Sequence, residues 1–212
     1  MQKQSVYVID QIRKKILDGE LEPGYPISER VLSSSLGTSR VPVREAFIHL
    51  EDKGLIRLIS GRGAFVRVFS FNEIRELYEV RGSLEGQAAS SAAKWAPKEE
   101  FRECRKQFVD CLARKETITS QELQSLNSQF HDLVGRLCNN NLLSTLLSNI
   151  HDQVVLVRAQ TYKRFSTDVH VGGMTEHVAI LDAIIDGDGP SAERLMRQHI
   201  GAWFERQISY VN

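Results

Sequence analysis

The hydrophobic pattern changes period within the first 70 residues, and that change does most to limit the fold. Val6, Ile9, Ile12, Ile16 and Leu17 recur at helical spacing. Gly19, Pro23, Gly24 and Pro26 stop that helix and force a turn. Ser28 then stands as N-cap of a short helix carrying Val31, Leu32 and Leu36, which Gly37 ends. Ser39 caps a third helix. Pro42 falls in its first turn, where a missing N–H breaks no internal bond. Val43, Ala46, Phe47 and Leu50 follow at i, i+3, i+4 and i+7 and form its buried face. After Gly54 the period drops to two. LIRLIS and AFVRVF read as two short strands around Gly61-Arg62-Gly63. Three helices and a hairpin predict a winged helix-turn-helix over residues 1–69, with Arg62 at the wing tip.

The chemistry of that stretch suits double-stranded DNA. Arg40 and Arg44 lie one turn apart on another face, at the start of the third helix. A recognition helix offers its N-terminal residues to major-groove base edges, and arginine matches guanine O6 and N7. A glycine-flanked arginine on a thin hairpin can enter the minor groove. The chain's net charge is zero, but its first 70 residues carry 11 basic and 8 acidic side chains. That bias allows a basic first domain and excludes a polycationic wrapper or an acidic tail.

The stretch ILDGELEPGYPISERVLSSSLGTSRVPVREAFIHLEDKGLIRLISGRGAFV closely resembles the DNA-binding domain of GntR-family transcription regulators. The resemblance spans about 50 residues, with DGELEPG, SER, TSRVPVREA, LEDKGL and GRGAFV in family order. It implies DNA contacts at Arg30, Ser39, Arg40 and Arg44, and at the Ser60–Gly63 wing tip through Gly61 and Arg62. Thr38 stands where a small apolar residue is common, a change expected to act on helix packing.

Residues 70–212 read as helix throughout. The expected segments are Phe71–Trp95, Pro97 to about Lys115, about Thr119 to Leu137, Asn140–Tyr162, Met174–Asp186 and Pro190–Tyr210, with Gly172-Gly173 as a loop. The fold class is mainly α, a winged helix-turn-helix followed by an antiparallel bundle of six or seven helices. Asn127 and His131 share a helix face at i, i+4. His177 opens the apolar series Ile180, Leu181, Ile184, and His199 lies beside Leu195, Met196, Ile200 and Trp203. Three of the six histidines thus sit on inward faces of three helices, where bundle cores gather metal ligands. Three imidazoles and one oxygen suit Zn²⁺, Ni²⁺ or Mn²⁺; the other reading is of histidines hydrogen-bonded in the core. His49, His151 and His170 lack such a pattern.

LYEVRGSLEGQAA, NSQFH, HVAILDAIIDGD and MRQHI resemble the FCD effector domain of the FadR branch of GntR regulators. In metal-binding members an Asp or Asn and three His line the pocket, which implies Asn127, His131, His177 and His199 here. Asn127 stands where Asp is commoner, and a neutral amide binds a cation more weakly. Arg81 matches the arginine that meets an effector carboxylate, and it also has Glu85 at i+4 as an ion-pair partner.

The combined expectation is a homodimeric regulator, a repressor, on a pseudo-palindromic operator. A small organic acid on a divalent metal, Zn²⁺ before Ni²⁺ or Mn²⁺, would control its DNA affinity. The alternatives are a metal-free pocket in the same architecture and a metal-dependent hydrolase, which finds no clear general base in the sequence. No apolar run approaches the ~18–20 residues of a membrane span, and no secretory signal is read at the start. Cys104, Cys111 and Cys138 contain no C-x-x-C, and reduced thiols in a cytoplasmic protein are expected.

Overall fold

The computed structural model describes residues 3–114, 117–161 and 167–208. The helix ends expected at Lys115, Tyr162 and Tyr210, and the side chain of His170, lie outside the described residues. By compactness the chain divides into Met1–Ile74 with Asn149–Lys163, and Arg75–Ser148 with Arg164–Asn212.

The first unit contains α1 (Lys3–Leu17), β1 (Pro26–Ile27), α2 (Glu29–Ser35), α3 (Arg40–Asp52), β2 (Ile56–Ile59) and β3 (Gly63–Val66). Helix α1 packs on α3. Val8, Ile9, Ile12 and Ile16 of the one and Val43, Ala46, Phe47 and Leu50 of the other are buried. Each fully buried Ile or Leu contributes about 1.5–3 kcal/mol relative to exposure. Two residues depart from the expected pattern. Val6 is exposed, because Ser5 holds the position one turn before Ile9; the Ser5 hydroxyl donates to the Glu45 carboxylate. Val31 is also exposed, because the two-turn helix α2 buries only Leu32 and Ser33. Thr38 Oγ1 is buried and, among the described residues, has no hydrogen-bond partner, a cost that an apolar residue avoids.

Helix α3 ends at Gly54, whose φ of 70° carries the chain into the left-handed region. Leu55 N–H donates to Leu50 O at 2.9 Å and closes the helix. A Cβ on Gly54 would lie 2.7 Å from Arg67 Nη1, so glycine answers both the turn and the space. The two expected strands follow as an antiparallel pair with Leu58 opposite Ala64 and Ile59 opposite Gly63. A third strand, β1, was not expected from the pattern. It is two residues long and pairs on the other side of β3, giving the order β1-β3-β2. Pro26 lacks an N–H, and an edge strand tolerates that loss.

Helix α7 (Asn141–Thr161) contributes its second half to this unit. Arg13 forks onto Asp152 with bonds of 2.5 and 2.6 Å, and the Gln160 amide exchanges two hydrogen bonds with the Phe69 backbone. Helix α4 (Phe71–Trp95) starts on a reciprocal cap. Ser70 N–H donates to Glu73 Oε2 at 2.7 Å, and Glu73 N–H donates to Ser70 Oγ at 3.3 Å.

The second unit is helical. Besides parts of α4 and α7 it contains α5 (Glu99–Ala113), α6 (Ser120–Leu137), α8 (Thr167–Ile185) and α9 (Gly189–Ile208). Phe101, Phe108, Phe130, Ile180, Leu181 and Ile184 fill its centre. Helices α4 and α9 approach closely, since a Cβ on Gly86 would lie 2.8 Å from Arg197 Cγ. The loop expected at Gly172-Gly173 is absent: α8 runs through both glycines. Each glycine costs about 1 kcal/mol in a helix, and the buried series Met174, His177, Ile180, Leu181 and Ile184 more than offsets it. The three cysteines are buried free thiols, and burial pushes Cys104 up to about 11.

Candidate functional site

The DNA-facing expectations lie in the first unit. Buried Val43, Ala46, Phe47 and Leu50 fix the rotation of α3, and Arg40, Val41, Arg44 and Ile48 consequently point to solvent. Ser39 is the N-cap by position, but its side chain makes no capping bond. Arg30 is exposed on α2. Arg44 is already partnered: its Nε donates to Glu29 Oε2 at 2.9 Å, with 64% of the Arg44 side chain exposed. At the wing, Ser60, Gly61 and Arg62 are exposed, and Gly61 and Gly63 have φ values of 72° and 94°. The Arg62 guanidinium sits 5.7 Å from the Phe65 ring centroid, a contact of about 0.5–1 kcal/mol at an exposed site.

In the second unit His131 (α6), His177 (α8) and His199 (α9) meet. All three are buried, and a ligand atom from each lies within 4.8 Å of the others. Two nitrogens on one tetrahedral zinc lie roughly 3.3 Å apart, so the donor set fits a divalent transition metal. The His177 ring stacks on Phe108 at 4.7 Å between centroids and meets Phe130 edge-on at 4.6 Å. Asn127 is half-buried on α6, one turn before His131. His49 and His151 belong to the other unit.

Two carboxylates complete the cluster. Glu85 Oε2 lies 2.5 Å from His131 Nδ1, while Glu85 Oε1 accepts from Arg81 Nε at 2.6 Å. Glu176 Oε2 lies 2.6 Å from His199 Nδ1, and Glu176 also accepts from Arg206 at 2.9 and 3.3 Å. Arg81 therefore joins the site, already paired with Glu85 and leaning on the Tyr78 ring.

The charges of these groups are set by competing effects. Burial alone would raise the Glu85 carboxyl, but Arg81 and His131 hold it well below the usual carboxylate range. Burial likewise opposes ionisation of Glu176, and His199 and Arg206 overcome it, lowering that group to about 2. Burial lowers the proton affinity of His199 against the pull of Glu176, which favours the neutral ring that can ligate.

Sequence reasoning treated Glu85 only as a partner for Arg81, weighed Glu176 only as a general base for His177 and set it aside, and passed over Arg206. About 100° separates Glu176 from His177 around α8, which turns Glu176 away from that histidine and toward His199 on α9. The i, i+4 spacing of Arg81 and Glu85 signalled the pair, but not its second partner on α6.

Comparisons with known proteins agree with both halves of this description. Residues 4–66 match the bacterial regulatory proteins of the gntR family, and residues 76–202 match the FCD domain. The chain is 35% identical over 192 residues to the Nta operon transcriptional regulator of Aminobacter aminovorans, covering 89% of this chain and 87% of that one. It is 28% identical over 211 residues to the HTH-type transcriptional repressor RspR of Escherichia coli K12, covering 99% and 91%. Among solved structures, a protein described as transcriptional regulator GntR from Rhodococcus sp. RHA1 superposes with a TM-score of 0.81 at 24% identity, covering 98% of this chain and 99% of that one. E. coli McbR/YncC does so with a TM-score of 0.80 at 16% identity over the whole of both chains. No helix among the described residues is long and apolar enough to cross a membrane. A winged helix with outward arginines, joined to a helical unit of this family, is a DNA-binding transcriptional regulator and not an enzyme: the chain belongs to the GntR family and carries an FCD domain.

Proposed function

We propose that the chain is a cytoplasmic, homodimeric repressor whose DNA affinity is set by a small organic acid bound in the FCD domain. Residues 1–69 would bind one half of a pseudo-palindromic operator, and residues 70–212 would dimerise and hold the effector. Arg40 and Arg44 would read base edges, while Arg30, Ser39, Gly61 and Arg62 would contact the flanking groove and backbone. The observation that carries the effector reading is the buried meeting of His131, His177 and His199, backed by Glu85 and Glu176.

Those histidines, with Asn127 as oxygen donor, would hold Zn²⁺, Ni²⁺ or Mn²⁺, and the ion would supply a Lewis-acidic anchor for a carboxylate. This chain's own part is to favour the neutral form of His199, bury all three imidazoles from competing water and present the Arg81 guanidinium beside them. Effector and operator then prefer different arrangements of one molecule, and their coupling is reciprocal.

The experiment is metal analysis of the purified protein together with a screen of small mono- and dicarboxylates against binding to an operator selected from random DNA. A coupling of about 1–3 kcal/mol changes operator affinity roughly 5–150-fold, and stripping the metal should abolish the change. An acid that acts equally with and without metal would place the effector elsewhere.

A further inference from the structure

We propose that Glu85 and Glu176 are positioning residues of the histidine cluster, each aiming one imidazole at a metal ion and each held in place by one arginine. The proposal rests on the metal reading above. It concerns the bonds from these carboxylates to His131 and His199, which neither the residue spacing nor the family resemblance indicated.

The contacts form two arms with the same order. On one, Arg81 and Glu85 of α4 reach His131 of α6 through bonds of 2.6 and 2.5 Å. On the other, Arg206 of α9 holds Glu176 of α8, which reaches His199 at 2.6 Å. The first arm runs from α4 to α6 and the second joins α8 and α9, yet both end on Nδ1 of a clustered histidine. An ion pair made only to satisfy a buried arginine needs no imidazole. Arg81 and Glu85 are one turn apart on one helix and would meet without His131.

The chemical consequence follows from the imidazole's two nitrogens. A carboxylate that accepts from Nδ1–H fixes that tautomer and leaves Nε2 as the nitrogen with a lone pair for a cation. It also stops the ring from rotating and makes Nε2 a stronger donor. The arginine stops the carboxylate from swinging toward the ion in the histidine's place. Each arm has no net charge: one guanidinium cancels one carboxylate. A divalent ion on three neutral imidazoles would then keep its double charge for an anionic ligand. His177 is positioned in a different way, by packing on Phe108 and Phe130.

The arms differ in exposure. The Arg81 and Glu85 side chains are 3% and 7% exposed, against 28% and 32% for Arg206 and Glu176. Glu85→Gln therefore risks the fold as well as the site, and Glu176→Gln carries the test alone if it does.

The full-length protein, stripped of metal, would be titrated with Co²⁺ in competition with a chelator of known affinity. Metal-free melting curves would check the fold of each variant. Glu176→Gln and, if folded, Glu85→Gln should each weaken Co²⁺ binding about 10- to 100-fold. The visible absorption bands of Co²⁺-loaded Glu176→Gln should also shift, because the donor strength of His199 changes; a loss of packing alone would lower occupancy without moving the bands. If the wild type binds Co²⁺ and Glu176→Gln matches it within twofold with unchanged bands, the carboxylates serve only the arginines and the proposal falls. If the wild type binds none of Co²⁺, Ni²⁺ and Zn²⁺, the metal reading itself is overturned and this proposal goes with it.

Discussion

Each half of the molecule places an arginine of functional interest against a glutamate, and the two pairs have nearly the same length. Arg44 meets Glu29 at 2.9 Å, and Arg81 meets Glu85 at 2.6 Å. The first pair is 64% and 32% exposed, the second 3% and 7%. Water screens the first, so it contributes about 0–1 kcal/mol and the guanidinium is easily given up to a stronger anion such as DNA. The second has lost its water, so neither partner can leave without stranding the other's charge. One chemistry thus serves two purposes: a solvent-facing arginine stays available, and an enclosed one becomes part of the scaffold.

The sharpest way to break this comparison is Arg81→Ala. It leaves Glu85 buried without its cation, and it should cost about 3–5 kcal/mol of stability in urea unfolding. A loss below about 1 kcal/mol would show that Glu85 is not electrostatically enclosed. Any effector experiment on Arg81 therefore needs a folding control, since removing this side chain does more than empty a ligand contact.

Arg44→Ala tests the exposed partner. Specific operator binding should weaken by about 1–3 kcal/mol in a gel-shift titration, with the melting temperature nearly unchanged. A variant that binds as the wild type does would remove Arg44 from base reading.

The smallest effect is a pH dependence. Glu73 is held at about 2 by its backbone and side-chain hydrogen bonds with Ser70 and by Arg67, and Glu176 is lowered to about 2 by His199 and Arg206 against its burial. A carboxyl whose pKa is lower folded than unfolded stabilises the fold above its unfolded value and loses that contribution as pH falls. Melting temperature should accordingly drop as pH goes from about 4.5 toward about 2. Glu73→Gln, at the exposed end of the comparison, should flatten only a small part of that drop; a large change would mean that the cap of α4 governs the acid transition.

Legibility in the sequence followed the range of the interaction. Gly54 announced the end of α3, because a left-handed residue with no room for a Cβ leaves few substitutes. Strand β1 gave no signal, since two residues cannot show a period. Gly172-Gly173 gave a misleading one, because a glycine pair reads as a break until the helix is seen to run through it into the buried stripe that begins at Met174. His177 and His199 could be assigned inward faces from their apolar neighbours, and their burial agrees.

By itself the sequence determined the three helices of the first unit, the change from helix to hairpin after Gly54, and the inward face of α3 and of the helices that carry His177 and His199. Those properties depend on periodicity and on backbone conformations within a few residues. Tertiary structure alone decided that His131, His177 and His199 bring ligand atoms within 4.8 Å, that the second oxygen of Glu85 reaches α6, and that Glu176 serves α9 instead of its neighbour in the chain. The reason is geometric: helical spacing sets what lies one turn away on the same helix, whereas only packing sets the azimuth and height at which one helix meets another.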